Sequence, residues 1–212
     1  MNPETPDAAD YRIVSIAQLE ALYGRPGESS LGKETRALTP EYRRWIEASP
    51  FLAIASCGPG GLDCSPRGDP VGSLVRIVDD RTLAIPDRRG NNRIDTLRNL
   101  IVDPRVALLF FIPGVNETLR VAGRASVTAH PELIRYFSAE GKAPRTVLLV
   151  EIEAVYFQCA RALIRAGLWT RGARADARAA PTAGEMLRAA IPGFDGAEYD
   201  AALPERQKAT LY

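Results

Sequence analysis

The segment Ile85–Arg93 carries the densest set of side chains in this sequence that are suited to binding an anion. It reads Ile-Pro-Asp-Arg-Arg-Gly-Asn-Asn-Arg, follows an apolar stretch and leads into the helical spacing of Ile94, Leu97 and Leu100. A loop that ends at a helix N-terminus presents backbone N–H groups and the positive end of the helix dipole, which both favour an anion. Arginine and asparagine side chains add hydrogen bonds to phosphate oxygens, and Gly90 permits close approach of the backbone. The segment therefore predicts a phosphate-binding loop; the alternative is a polar turn in which an asparagine caps the helix.

Three other places put polar or aromatic side chains where they can line a cleft. Ser65 and Arg67 lie two residues apart at the end of a predicted strand, so both point to one face, although a solvated strand end fits equally well. Arg120 lies inside a predicted strand, where a charge needs a salt bridge, solvent or a cleft, and Arg124 can share its face. Trp169 follows a predicted helix end and either fills the core or packs against a planar ring.

The composition argues against several classes of chemistry. His130 is the only histidine and lies in a predicted strand-to-helix turn, so no metal site built on several histidines is expected. Three cysteines without CxxC spacing predict no disulfide framework, and we expect them to be small buried residues. The net charge of +1 argues against nucleic acid as a partner. No apolar run approaches the roughly 20 residues that cross a bilayer, and no secretory signal is visible, so we expect a cytoplasmic protein with no membrane partner.

Arginine dominates the basic residues of the chain. Only Lys33, Lys142 and Lys208 among the 27 basic residues are lysines. Genomic base bias is one explanation of this preference. Whatever its origin, guanidinium forks are expected to hold any phosphate that this protein binds.

The elements that must position these side chains are mostly strands. Six segments have strand patterns bounded by turn residues: Phe51–Cys57, Leu62–Arg67, Thr82–Ile85, Arg105–Ile112, Thr118–Thr128 and Thr146–Gln158. Helices are predicted from Ser15 to Gly24, from Thr39 to Ala48, and over Asn91–Leu100, Pro131–Ser138 and Ala183–Ala190. Because the links between strands are hairpin-sized, the sequence predicts a mostly β fold with flanking helices, a closed or split β-barrel of about six strands.

The chain is expected to divide into three parts. Residues 1–37 form an N-terminal helical arm, residues 38–169 form the barrel, and residues 170–212 form a C-terminal helical tail. The tail has too many apolar side chains for pure disorder, so we expect it to pack on the barrel or on a partner subunit.

Five motifs in a fixed order give the sequence a specific resemblance. They are Ser-Pro-Arg-Gly-Asp, the Ile85–Arg93 loop followed by Asp-Thr-Leu-Arg-Asn, an apolar strand ending in Ile-Pro-Gly, Glu-Thr-Leu-Arg-Val-Ala-Gly-Arg-Ala, and a cysteine-containing segment ending in Leu-Trp. This order resembles the pyridoxamine 5′-phosphate oxidase-like flavoproteins, and more narrowly their bacterial branch with a DRxGNxR loop. The resemblance covers roughly Leu38–Trp169.

The resemblance implies a split-barrel homodimer with two FMN sites at the subunit interface. It places around the FMN the residues Ser65, Arg67, Pro86, Asp87, Asn91, Asn92 and Arg93. The oxidase proper has Ser-Arg-Lys where this chain has Asn91–Arg93, so Arg93 and Arg88 are expected to supply the charge. Arg120 would line the cleft, and Trp169 of the other subunit would cover it.

The function implied is that of an FMN-dependent oxidoreductase of unknown substrate, with a reduced nicotinamide as one candidate donor. Two departures from the branch, Gln158 in place of histidine and Arg161 in place of lysine, put its substrate in doubt. The residues that recognise pyridoxamine phosphate have no match here, so vitamin B6 oxidation does not carry over, and no catalytic residue is assigned. The alternative is a non-enzymatic protein that binds a flavin or another planar cofactor such as haem.

Overall fold

The computed structural model describes residues 11–170 and 180–210. Within them, one antiparallel sheet of seven strands has the order β2-β1-β5-β6-β7-β4-β3. The strands are β1 (Phe51–Gly58), β2 (Gly61–Gly68), β3 (Arg76–Ile77), β4 (Thr82–Pro86), β5 (Arg105–Phe111), β6 (Thr118–Thr128) and β7 (Val147–Gln158). The fold is mostly β and is a split barrel, as the sequence predicts.

Short helices flank the sheet. In chain order they are α1 (Ile16–Tyr23), α2 (Glu28–Gly32), α3 (Pro40–Ala48), α4 (Asp95–Val102), α5 (Pro131–Tyr136), α6 (Arg161–Ala166), α7 (Ala183–Ala190) and α8 (Gly196–Ala209). Helices α1 and α2 belong to a compact unit that ends at Glu34, and the sheet with the other helices belongs to a second unit that starts at Thr35. None of the helices in the described ranges is long and apolar enough to cross a membrane.

Local sequence signals explain where most elements begin and end. The hydroxyl of Thr39 accepts a hydrogen bond from the backbone N–H of Tyr42 and caps α3, whose first residue is Pro40. Strands β1 and β2 are joined by a tight turn in which Gly61 has a φ of 104°, a conformation that glycine adopts without steric cost. The sequence predicts both features correctly.

The core lies on one face of the curved sheet. Alternate residues of the long strands point inward, and the largest fully buried side chains include Leu52, Ile54, Leu108, Phe110, Leu119, Val121 and Ile152. Ile46 of α3 and Leu100 of α4 are buried in the same cluster. Each such side chain contributes about 1.5–3 kcal/mol to folding by leaving water, and the cluster fixes α4 against the sheet.

The opposite side of the sheet, which we call the outer face, carries rows of small side chains. One row runs across four strands as Ala55, Ala107, Ala122 and Ala154, each paired in register with the next. The neighbouring row contains Arg120 and Tyr156, whose hydroxyl accepts a hydrogen bond from Arg120 Nη1 at 3.0 Å. These residues are half-buried or exposed in the single chain.

Three predictions about the elements need correction. The sheet has a seventh strand, β3, because a two-residue strand is too short to show an alternating pattern. Helix α4 begins at Asp95 and not at Asn91, because Asn92 and Ile94 have left-handed φ values of 60° and 53° that no helix continues. Residues Gly196–Ala209 form α8, which the sequence does not predict because Gly196 and Pro204 punctuate the stretch, and Pro204 lies inside the helix.

The cysteines also differ from the expectation. All three are free, but Cys64 and Cys159 are exposed and Cys57 is only partly buried, so the prediction that they are small core residues is wrong. Cys64 lies opposite Ala55 on the outer face of the edge strand β2. Strand alternation places it there, because its neighbours Asp63 and Ser65 point to the other face.

Helices α7 and α8 form a hairpin. The carboxylate of Asp200 accepts hydrogen bonds from the hydroxyl of Thr182 at 2.5 Å and from the N–H of Gly184 at 2.7 Å. Gly184 and Gly196 meet so closely that a Cβ on Gly184 would lie 2.0 Å from the Gly196 carbonyl oxygen. Residues 171–179 and 211–212 of the predicted tail lie outside the described residues, and its packing on the barrel or a partner stays a prediction.

Candidate functional site

The candidate site is a cleft of about 1040 Å³. It lies where β2 faces the end of β4, between Arg67 and Asp87, and we call this boundary the seam. Three segments line the cleft: residues of β2 and its exit between Asp63 and Asp69, the stretch from Pro86 to Leu97, and the stretch from Lys142 to Thr146. The third segment adjoins the second because β7 pairs with β4, Val147 lying opposite Pro86. The cleft brings together eight of the ten predicted site residues, namely Ser65, Arg67, Pro86, Asp87, Arg88, Asn91, Asn92 and Arg93.

A hydroxyl network joins β2 to the first turn of α4. Asp63 Oδ2 accepts hydrogen bonds from Ser65 Oγ at 3.1 Å and from the buried Thr96 Oγ1 at 2.8 Å. The side chains of Asp63, Ser65 and Arg67 share one face of β2, as strand alternation predicts. This network fixes the helix N-terminus against the cleft wall.

Arg67 and Asp87 face each other across the seam. Their closest nitrogen and oxygen are 3.9 Å apart, and their side chains are 18% and 24% exposed. Burial raises the pKa of Asp87 above the usual aspartate value, and the charge of Arg67 lowers it only in part. The Asp87 backbone N–H donates to the Thr146 carbonyl oxygen at 3.0 Å, which ties the end of β4 to the start of β7.

The predicted phosphate loop has an irregular backbone. Asn91 Oδ1 accepts a hydrogen bond from the Arg93 N–H at 3.0 Å, so Asn91 closes a turn inside the loop instead of capping the helix. Ile94 occupies the N-cap position of α4 in a left-handed conformation and makes no side-chain cap. The first-turn residues Asp95 and Thr96 also line the cleft, so the uncapped helix N-terminus faces it.

Two arginines of this loop are already paired. Arg88 Nε donates to Asp69 Oδ2 at 2.7 Å, and its Nη1 donates to the Phe137 carbonyl oxygen at 2.5 Å. Arg93 Nε contacts Asp95 Oδ2 at 2.8 Å, with the Arg93 side chain 75% exposed. An exposed pair of this kind is worth about 0–1 kcal/mol, so an incoming anion can replace the carboxylate.

Three other cations of the cleft have no acidic partner in the described part of the chain. They are Arg89 of the loop and Lys142 and Arg145 of the segment before β7. In the same segment, the hydroxyl oxygen of Thr146 is buried and makes no hydrogen bond to any described residue. A buried polar atom without a partner is costly, and a bound ligand is one way to satisfy it.

The remaining two predicted site residues lie elsewhere in the single chain. Arg120 is on the outer face, beside Tyr156. Trp169 donates from its ring nitrogen to the Val115 carbonyl oxygen of its own chain at 2.8 Å. Neither lines the cleft of its own chain, so their proposed contact with a cofactor requires a second subunit and stays a prediction.

The sequence reasoning missed Asp63, Asp69, Thr96 and the segment Lys142–Thr146. The segment could have been found by pairing β7 with β4, because antiparallel pairing brings the residues before one strand next to those after the other. Lys142 is one of only three lysines, which was a second signal. Asp69 is the last residue of the Ser-Pro-Arg-Gly-Asp motif, but its partners Arg88 and Phe137 are distant in sequence, so its ion pair could not be predicted.

A second depression, of about 660 Å³, lies on another part of the sheet. Its lining includes Asp79, Arg81, Arg124 and Glu151, and none of the predicted site residues. No group of three or more His, Cys, Asp or Glu side chains suited to a metal occurs among the described residues. The cleft at the seam is therefore the candidate site.

The family of the chain follows from its sequence profile. The profile described as pyridoxamine 5′-phosphate oxidase matches residues 38–159, more than half of the chain and all three cleft-lining segments. The chain therefore belongs to the pyridoxamine 5′-phosphate oxidase family. No curated protein matches its sequence.

Several solved structures resemble the chain at low sequence identity. HupZ of Group A Streptococcus is 15% identical, with 56% of this chain and 91% of that chain covered and a TM-score of 0.47. A Lactobacillus delbrueckii protein that is described by similarity as a pyridoxamine 5′-phosphate oxidase is 19% identical, with 57% and 95% covered and a TM-score of 0.46. An F420 reductase is 16% identical, with 57% and 98% covered and a TM-score of 0.41. At these values the assignment rests on the sequence profile and not on these structures.

Proposed function

We propose that the cleft binds FMN and that the protein is an FMN-dependent oxidoreductase of small molecules. The observation that carries the proposal is the convergence on one cleft of the family-matched region of an uncapped helix N-terminus and of cations that have no acidic partner among the described residues. These features suit a phosphate dianion. The family resemblance supports a flavin as the molecule that carries the phosphate.

The residues present fit such a ligand. A volume of about 1040 Å³ is at the upper end of the about 300–1,000 Å³ of small-molecule sites. Arg89, Asn92 and Arg93 would hold the phosphate, because they are exposed on the loop. Ser65, Arg67 and Asp87 would contact the polar edge of the flavin, since Ser65 and Arg67 line the β2 wall and Asp87 faces Arg67 from the end of β4.

The chemistry divides between ligand and protein. FMN, when bound, supplies the ability to accept and release a hydride, while the protein supplies orientation and electrostatics. Arg67 provides positive charge next to the cleft, and Asp63 orients the hydroxyl groups of Ser65 and Thr96. With its pKa raised by burial, Asp87 takes up a proton more readily than an ordinary aspartate.

We further propose that two copies of the chain complete the site. Arg120 points away from its own core on the outer face, and the alanine row beside it lets another surface approach closely. A partner seated on this face would bury half-exposed apolar side chains such as Phe51 and Phe111, whose rings lie 6.0 Å apart. Arg120 of one subunit would then reach the cleft of the other.

The experiment that tests the cofactor is a titration of the purified protein with FMN, followed by absorbance. Arg93→Ala is expected to weaken FMN binding about tenfold or more, because a hydrogen bond to a charged group is worth about 1.5–3 kcal/mol. Arg98→Ala is the matched control, since Arg98 is an exposed arginine of α4 that does not line the cleft. Equal affinities of the wild type and Arg93→Ala would contradict the assignment of the loop.

The test of enzymatic activity is anaerobic mixing of the FMN-loaded protein with NADPH or NADH. Loss of the oxidised flavin absorbance is expected with one of the two donors. A tightly bound flavin that neither donor reduces would favour the alternative, a flavin-binding protein without turnover.

A further inference from the structure

We propose that Asp69 is a positioning residue whose ion pair with Arg88 shapes the phosphate loop and thereby makes the cleft select flavins that carry a terminal phosphate. The inference rests on the proposed function, because it presupposes that the cleft binds a flavin. It assigns Arg88 to holding the loop, whereas the sequence suggests that Arg88 contacts the phosphate.

The Arg88 guanidinium donates hydrogen bonds to two acceptors, the Asp69 carboxylate and the Phe137 carbonyl oxygen. On one side, Asp69 is 2% exposed at its side chain and accepts from Arg88 Nε at 2.7 Å. The Asp69 backbone N–H donates to the Pro50 carbonyl oxygen at 3.0 Å, which roots it at the base of the β1–β2 hairpin. On the other side, the Phe137 carbonyl oxygen accepts from Arg88 Nη1, and the Phe137 side chain is buried at 3% exposure.

These contacts place Arg88 at the junction of the three cleft walls. Asp69 ends the first segment, Arg88 directly precedes the exposed residues of the loop, and Phe137 follows α5, which leads into the segment Lys142–Thr146. Partners 19 and 49 residues away in sequence are brought together through one side chain. Removing the Asp69 charge therefore weakens the link between Arg88 and the first segment, and with it the fixed position of the loop between the two walls.

The energetics favour a role in shape over a role in overall stability. A buried ion pair costs desolvation of both charges, so it contributes little net stability compared with apolar residues. Such a pair instead favours one conformation of the residues around it, because any other conformation would leave a buried charge without its partner. Here the surroundings are Arg89–Arg93, exposed residues of the loop without regular structure, whose α4 end is tied down through Thr96 and Asp63.

The test compares the affinities for FMN and riboflavin, which differ only by the phosphate. Asp69→Asn is expected to lower the ratio of the two affinities at least tenfold, through weaker FMN binding with riboflavin binding within twofold of wild type. The double variant Asp69→Asn/Arg88→Gln replaces both members of the ion pair by neutral amides, so it is expected to fold and to show the same loss of selectivity. A purely structural defect would weaken both flavins alike.

Asp103→Asn is the matched control, because Asp103 also pairs with an arginine, Arg105, but lies outside the cleft. Its affinity ratio is expected to equal that of the wild type. An unchanged ratio in the double variant, or an equal loss of both affinities in it, would overturn the positioning role while leaving FMN binding by the wild type intact. A wild type that binds neither flavin would remove the proposed function and this inference together.

Discussion

At the scale of single residues, the cleft combines carboxylates with different surroundings. Asp63 accepts two hydroxyl hydrogen bonds, Asp69 is fully paired with Arg88, and Asp87 is partly buried with Arg67 at the long distance of 3.9 Å. Burial raises the pKa of Asp87 because the nearby charge compensates only in part for lost hydration. Asp87 is therefore the cleft residue that should couple folding to pH.

The prediction for Asp87 concerns the pH dependence of stability. Because its pKa is higher in the folded chain than in the unfolded one, the folded protein binds more protons between the two values, and stability falls as pH rises through that window. Thermal unfolding of the wild type and of Asp87→Asn should be compared from below the usual aspartate pKa to neutral pH. The wild type is expected to lose stability relative to Asp87→Asn as pH rises, and parallel curves would contradict the raised pKa.

The residue scale also shows what the sequence could and could not reveal. Strand alternation correctly predicts that Ser65 and Arg67 share one face, because the rule depends only on the two-residue repeat of side chains along a strand. The role of Arg88 could not be predicted, since its partners Asp69 and Phe137 become neighbours only after the sheet has formed. The unpaired state of Lys142 likewise depends on which acids the fold brings near it.

At the scale of elements, α4 is the part that connects the core to the cleft. Leu100 is buried in the core, Thr96 binds Asp63, and Asn99 Nδ2 donates to the buried hydroxyl of Ser56 on β1 at 3.1 Å. The helix lies so close to β1 that a Cβ at Gly58 would be 2.1 Å from Asn99 Oδ1. The position of the loop therefore depends on a glycine that does not itself touch the cleft.

Gly58→Ala is expected to destabilise the fold by about 1–3 kcal/mol, the usual cost of overpacking. Asn99 would have to move and lose its bond to Ser56, which shifts α4 and weakens FMN binding as well. Thermal unfolding and an FMN titration measure the two effects. Gly60→Ala in the same hairpin is the control, because a Cβ there meets nothing within 4 Å. A Gly58→Ala protein as stable as this control would show that α4 tolerates displacement.

Elements with their own capping and turn signals were predictable, and those defined by distant contacts were not. Helix α3 matches its Thr39-Pro40 signal, and the β1–β2 hairpin matches its glycine-rich turn. The start of α4 was misplaced because the apolar spacing of its residues continues upstream through the left-handed Ile94. Helix α8 was missed because its first turn is fixed by Asp195 and by contact with α7, which outweigh the proline inside it.

At the scale of the whole molecule, the outer face of the sheet is a surface to which the candidate site of the single chain assigns no role. It carries the alanine row, the Phe51 and Phe111 rings and Arg120 on adjacent strands. Small side chains in one row let two sheets approach without steric conflict. The proposed homodimer would use this surface.

Ala122→Glu is expected to convert the proposed dimer to a monomer, because it places a charge in the middle of the alanine row. Sedimentation or light scattering would measure the mass, and the same samples would be titrated with FMN. If Arg120 acts in the partner's cleft, FMN affinity should fall together with the mass. Ala48→Glu, at the exposed end of α3, is the control. A wild type that is monomeric at working concentrations would contradict the dimer.

The three walls of the cleft come from chain segments that begin at residues 63, 86 and 142. A nascent chain that ends before the third segment cannot contain the complete binding site, even when its first hairpin has already formed. Loading with a cofactor must then follow the joining of β7 to β4, the contact that bridges the longest gap between these walls. Occupancy by a ligand therefore reports that folding has proceeded through β7, and a bound flavin would shift the balance toward the folded barrel by mass action.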